Sequence, residues 1–193
     1  MDYRAERMKS LIIQAFFDCL KEEDFSQITV AKLVDKAMIN RSTFYRYFTD
    51  KYQLRDEIVD EIVKDFYNNM EVDFVNMDIH NISHTRSLEN GLKLLSKSKN
   101  KLELLWNQKQ LGRNVFDELI SVGASKVKEE IKNSPTISDD KKKLADWYAE
   151  LLVNNFLVSV RWWFSHSDTV SSHEITLMIK QHMLNGTIPT LKS

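Results

Sequence analysis

The chain has 193 residues, with 27 Lys+Arg against 28 Asp+Glu and a formal net charge of −1. It contains only 4 Gly, 2 Pro and 1 Cys, and neither breaker occurs before Gly91. The tight turns and glycine bulges of sheet proteins are therefore largely missing, and an all-helical fold is expected. The lone Cys19 excludes an internal disulfide framework and any Cys-x-x-Cys zinc or redox site. A hydrophobic content of 42% is enough for a core. The charged start, Met1 to Arg7, has no apolar stretch behind it, and no window reaches membrane-span length, so a cytoplasmic protein with no membrane partner is expected. Near-neutral charge gives no global attraction to nucleic acid, so such a function has to come from local clustering.

Met8, Leu11, Ile12, Ala15, Phe16, Cys19 and Leu20 follow the i, i+3, i+4 spacing of an amphipathic helix over about residues 4–22. Thr29 is placed to cap a second, short helix with the apolar face Val30, Leu33, Val34 and Ala37. Asn40 then precedes another short helix, Arg41 to Tyr47, on which Phe44 shares a face with Phe48. Two short helices so closely spaced form a helix-turn-helix pattern. Asp50 and Gln53 have capping-box spacing before a longer helix with the row Leu54, Ile58, Ile62 and Phe66.

After a polar stretch around residues 72–81, three helices are expected. Leu88, Leu92 and Leu95 mark the first; Leu102, Leu105 and Trp106 the second; Val115, Leu119, Ile120 and Val127 the third, which ends before Ser134-Pro135. One continuous helix is expected from Asp139 to about Ser165, apolar nearly all round in its last two turns. Ser171 and Glu174 form a capping box for a last helix that closes at Gly186 and Pro189. That makes about nine helices and no strand. His80, His84, His166, His173 and His182 have no metal-ligand spacing, and neither a metal nor another cofactor is expected.

Between Lys32 and Arg55 six basic residues face two acidic ones, a local positive excess inside a neutral chain. With Phe44 and Phe48 inward, Arg41, Ser42, Thr43, Tyr45, Arg46 and Tyr47 turn outward, and their guanidinium and hydroxyl groups suit base edges and phosphates. The segment Phe25-x-x-Ile28-Thr29-Val30, the turn Ala37-Met38-Ile39-Asn40-Arg41 and the run Thr43-Phe44-Tyr45-Arg46-Tyr47-Phe48-x-x-Lys51-x-x-Leu54 together resemble the tetracycline-repressor (TetR) family of bacterial transcription regulators. The resemblance covers about residues 5–58. It implies a homodimer whose helix-turn-helix units enter successive major grooves of operator DNA, with a divergent C-terminal domain for dimerisation and a small-molecule effector. Thr29, Tyr45, Tyr47 and Lys51 are then expected at phosphates, and Arg41, Ser42, Thr43 and Arg46 at bases or at both.

Two positions depart from the family pattern. Met38 stands where family members usually have Gly, so either the turn differs or a side chain occupies a left-handed position at about 1 kcal/mol or more. Tyr47 replaces a common His. Trp162-Trp163-Phe164 and the helix after them are similar to a subset with dihydroxyacetone-kinase-regulator-like C-terminal domains.

The expected organisation is a DNA-binding domain at 1–49, a connecting helix at 50–71 and an effector-binding and dimerisation domain at 72–193. Trp106, Phe116, Trp147, Tyr148 and Asn155 are candidates for an effector pocket, against the simpler reading of ordinary core. Phe156, Val160, Phe164, Ile175, Met178 and Ile179 are candidates for the dimer interface. A helical protein–protein adaptor without specific DNA binding is the alternative. An enzyme is not expected, because the sequence has no glycine-rich phosphate loop, nucleophile elbow or metal cluster.

Overall fold

The computed structural model describes residues 3–76, 86–108 and 110–186. Among these residues there are ten α-helices, two single-turn 3-10 segments and no strand. His80, His84 and Pro189 lie outside the described residues. None of the described helices is long and apolar enough to cross a membrane.

The chain groups into two compact units, Met1–Ile62 with Asn100–Val115, and Val63–Lys99 with Phe116–Ser193. The first holds α1 (Tyr3–Glu22), a 3-10 turn at Phe25–Gln27, α2 (Val30–Lys36), α3 (Arg41–Tyr47) and the start of α4 (Lys51–Asn69). Its interior is built from Ile12, Phe16, Phe25, Ile28, Leu33, Phe44, Phe48 and Leu54, all at most 2% exposed. Each such side chain contributes roughly 1.5–3 kcal/mol on leaving water; Ile12 and Phe16 lie on the predicted inner face of α1, and Phe44 and Phe48 on that of α3 and its C-cap. Nearly all of α6 (Lys99–Trp106) and the chain after it belong to this unit too.

Local chemistry explains the helix ends. The Thr29 hydroxyl accepts from the Lys32 N–H at 3.3 Å, capping α2 as expected. Asn40 sits at the N-cap of α3 in extended geometry, but its side chain makes no capping bond. Asp50 caps α4 by accepting from the N–H groups of Tyr52 and Gln53 at 2.8 and 2.7 Å. The Gln53 side chain returns to the N–H of Thr49 at 2.6 Å, one residue earlier than a regular capping box requires.

Between α2 and α3 the turn adopts the left-handed form. Met38 has φ +53°, the one positive value at a non-glycine residue among those described. The Ile39 N–H reaches the Val34 carbonyl at 3.0 Å and the Met38 N–H reaches that of Asp35 at 3.2 Å, the bond pair of a Schellman motif. The motif's usual glycine is missing but its geometry is kept, and the Met38 side chain is 92% exposed.

In the second unit are α5 (Ser87–Lys97), nearly all of α7 (Val115–Asn133), α8 (Asp139–Lys142), α9 (Ala145–Phe164) and α10 (Ser172–Asn185). The continuous helix expected from Asp139 is in fact two. The Leu144 N–H bonds back three residues to Lys141 at 2.9 Å, and the tightened turn at Lys143 and Leu144 restarts the helix as α9. Hydrophobic periodicity misses this because the break is a single residue's change of hydrogen-bond partner. The Ser171–Glu174 capping box is present, and its bonds hold the Glu174 carboxyl below its ordinary pKa.

The Met38 turn gives a stability test. Met38→Gly is expected to raise stability by up to about 1 kcal/mol by removing left-handed strain, whereas β-branched Met38→Val lowers it by about 1 kcal/mol or more. Urea denaturation of the three proteins checks both signs.

Candidate nucleic-acid interface

On α3, Arg41, Ser42, Tyr45 and Arg46 are exposed, Thr43 and Tyr47 are half-buried, and Phe44 and Phe48 are fully inside. The outward set expected from the sequence thus shares one helix anchored by two phenylalanines. Tyr45 sets its ring edge-on to Phe44, with centroids 5.5 Å apart, and stays 55% exposed, so packing fixes the ring while the hydroxyl meets solvent. Thr29, at the start of α2, is exposed as well.

The basic cluster is smaller than its count suggests. Lys32 pairs with Glu23 at 2.5 Å and Lys36 with Glu22 at 2.5 Å. Arg55 pairs with Asp56 at 2.8 Å and donates to the Leu111 carbonyl at 2.7 Å. Of the six cations between residues 32 and 55, Arg41, Arg46 and Lys51 have no carboxylate within salt-bridge distance among the described residues; Lys51 is bound to backbone carbonyls, which leaves the two arginines, both on α3. The positive field therefore concentrates on the helix that carries the hydroxyls and phenols.

Lys51, expected at a phosphate, has an internal role instead. Its ammonium donates to the carbonyls of Phe25, Ser26 and Ile28 at 2.9, 3.2 and 2.7 Å and lies 4.6 Å from the centre of the Phe25 ring. An ammonium has three donors, so all of them are engaged in this conformation. Burial holds its pKa below the ordinary lysine value. Sequence position alone does not reveal this, because the acceptors are backbone groups 23 to 26 residues away.

None of the residues expected to line a pocket is among those lining an apolar cavity in the second unit. Trp147 is 56% exposed, Tyr148 is buried, and Phe116 lies under the Arg161 guanidinium at 4.0 Å. Asn155 is half-buried, its carbonyl accepting from Ser159 at 2.6 Å. Trp106 belongs to the first unit. That apolar cavity, of about 30 Å³, is lined instead by Phe66, Met70, Gly91, Phe156 and Met183, among others, with Glu71 and Ser87 as its polar members. Gly91 was the available signal. Glycine inside a helix costs about 1 kcal/mol relative to alanine, and a Cβ here would lie 3.1 Å from the Phe156 ring.

The interface candidates are also largely internal. Phe156, Val160, Phe164, Ile175 and Ile179 are at most 9% exposed in the single chain, and of the six only Met178, at 60%, is on the surface. Val158, Trp162 and Leu177 are exposed with it. A helix that is apolar nearly all round gives no phase, so its inner and outer faces cannot be assigned from sequence.

Residues 12–58 match the family of bacterial regulatory proteins described as the tetR family. In structure the chain is similar to the TetR family repressor AlkX from Dietzia sp. strain DQ12-45-1b, implicated in biodegradation of n-alkanes. The identity is 14% and the TM-score 0.50, with 95% of this chain and 98% of that one covered. No curated protein sequence matches the chain.

The placement of Lys51 gives a discriminating test. Lys51→Met is expected to lower stability by about 1–3 kcal/mol, because the part-buried carbonyls of Phe25 and Ile28 lose their donor. The salt dependence of any DNA binding is expected to stay unchanged. Denaturation and binding titrations at several salt concentrations measure the two effects separately.

Proposed function

We propose that this chain, whose residues 12–58 form a domain of the tetR family of bacterial regulatory proteins, is a sequence-specific DNA-binding transcriptional regulator. The observation that carries the reading is the exposed face of α3, where two arginines without carboxylate partners flank Ser42 and Tyr45. In a major groove, an arginine fork reads guanine or holds a phosphate, and the phenol and hydroxyls add phosphate contacts. Thr29 and Tyr47 complete the proposed backbone contacts, and Thr43 is placed between phosphate and base.

The regulator acts as a homodimer in the cytoplasm. Val158 and Trp162 of α9 and Leu177 and Met178 of α10 are exposed apolar side chains on consecutive helices, as a self-complementary interface requires. Two recognition helices then meet half-sites about 34 Å apart. The output is repression, relieved when a small molecule binds in the second unit. Supporting this is the apolar cavity with two flexible methionines in its wall, side chains that adapt to a ligand's shape. An effector that binds better to the non-DNA-binding arrangement shifts the population towards it.

Selection of bound sites from random duplex DNA tests the reading, with enrichment of a two-fold-related site expected. No sequence preference would overturn it in favour of the adaptor. On the selected site, Arg46→Ala is expected to weaken binding by about 1–3 kcal/mol, relax preference at one position and lower the salt slope by about 1. Trp162→Lys is expected to shift the chain to a monomer in gel filtration.

A further inference from the structure

We propose that Gln108 is a positioning residue for the DNA-facing helices, the acceptor end of a strap by which the chain after α6 fixes the start of the helix-turn-helix. The inference rests on the reading of α2 and α3 as DNA-facing and goes beyond it in naming what holds them.

A helical turn leaves its first N–H without a partner inside the turn. For the 3-10 turn at Phe25–Gln27 the residue in N-cap position is Asp24, a good capping type, yet its side chain makes no capping bond. The Phe25 N–H donates instead to the Gln108 side-chain carbonyl at 3.0 Å, across 83 residues of sequence. Phe25 is 2% exposed, so this N–H has little access to water as a substitute acceptor.

The strap is fastened to α4 on its far side. The buried Leu111 offers its carbonyl to Arg55 at 2.7 Å. Gly112 has φ +77°, and a Cβ there would lie 3.0 Å from the Arg55 guanidinium, so both the backbone and the space at this point suit glycine. Arg113 pairs with Asp60 at 2.7 Å. One turn before Arg55, Lys51 holds the carbonyl of Phe25. Phe25 is thus gripped at its N–H by the strap and at its carbonyl by α4, and the strap is itself bound to α4. Four residues on, Thr29 begins α2, so the clamp sets where that helix starts. Along the chain the strap ends at Val115, and Phe116 belongs to the second unit.

The test uses the full-length chain with Gln108→Met, which keeps length but removes the acceptor, and Gln108→Glu, which keeps an acceptor oxygen. Amide hydrogen exchange is measured on the free protein, and affinity on the selected duplex. Gln108→Met is expected to speed exchange at Phe25 about tenfold relative to α1 and to weaken DNA binding by a similar factor, as loss of one buried hydrogen bond implies. Gln108→Glu is expected to restore both. Gly112→Ala, which strains the strap without touching Gln108, should reproduce the pattern and serves if Gln108→Met does not fold. Unchanged exchange at Phe25, unchanged affinity despite faster exchange, or equal losses in both Gln108 variants would each overturn the proposal. If the unaltered chain prefers no duplex, the DNA reading fails, while the exchange measurement still decides whether the strap exists.

Discussion

The Lys51 ammonium, holding the carbonyls of Phe25, Ser26 and Ile28, is the contact on which the rest of the first unit depends. A single 3-10 turn is too short to satisfy its own backbone groups, and the ends of such a turn cannot be buried unpaired. Lys51 serves the carbonyl side, and the Phe25 and Tyr52 rings, 5.5 Å apart edge to face, lie with their centres 4.6 and 5.3 Å from its ammonium. Removing a cation from water is costly, as the lowered Lys51 pKa records, and three short bonds to carbonyl dipoles offset much of that cost. The arrangement fixes the register between α4 and the turn leading into α2. The outward face of the next helices inherits its orientation from that register.

Electrostatics on this unit is a matter of subtraction. The sequence places six cations between residues 32 and 55, but the fold pairs Lys32 and Lys36 with glutamates of α1's end, turns Lys51 inward and ties Arg55 to Asp56. What is left is concentrated on α3, in Arg41 and Arg46. Binding to phosphates scales with the number of counterions released, so a face with two uncompensated arginines gives modest non-specific attraction. On the proposed function, discrimination then depends on where those two forks and the neighbouring phenol and hydroxyls fall along the groove. Positioning of the helix matters correspondingly more than the total charge of the domain.

The parts of this structure that were legible in the sequence are those decided within a few residues. Thr29 as a cap, Phe44 and Phe48 on one face, the Ser171–Glu174 box and the stop before Ser134-Pro135 all follow from short-range rules, and all are present. The break at Leu144 was not legible, since it is a change of bonding partner inside an uninterrupted periodic pattern. Nor was the phase of α9. With Tyr148, Phe156, Val160 and Phe164 inward and Trp147, Val158 and Trp162 outward, both faces are rich in large apolar side chains, and only tertiary packing separates them. Lys51 and Gln108 escaped for a different reason: each acts on backbone groups distant in sequence, and backbone acceptors carry no residue-type signature.

Met38 and Gly91 make opposite use of glycine and share a physical logic. At Met38 the backbone asks for glycine and the sequence supplies a long side chain, which the left-handed turn tolerates because that side chain projects almost wholly into solvent and meets no neighbour that forces it back. At Gly91 the helical backbone asks for anything but glycine, and the sequence gives up helix propensity so that the Phe156 ring can lie against the bare main chain. Gly91 also borders a small cavity of about 30 Å³ with a mostly apolar wall. A site of this size admits a larger molecule only if side chains move. Met70 and Met183, each with several rotatable bonds, are the wall members for which such movement costs least. On the proposed reading, ligand entry and rearrangement of the second unit's core are therefore one event. An effector selected by this cavity would be recognised by the shape it imposes on the methionines and the Phe156 ring more than by polar contacts made in advance.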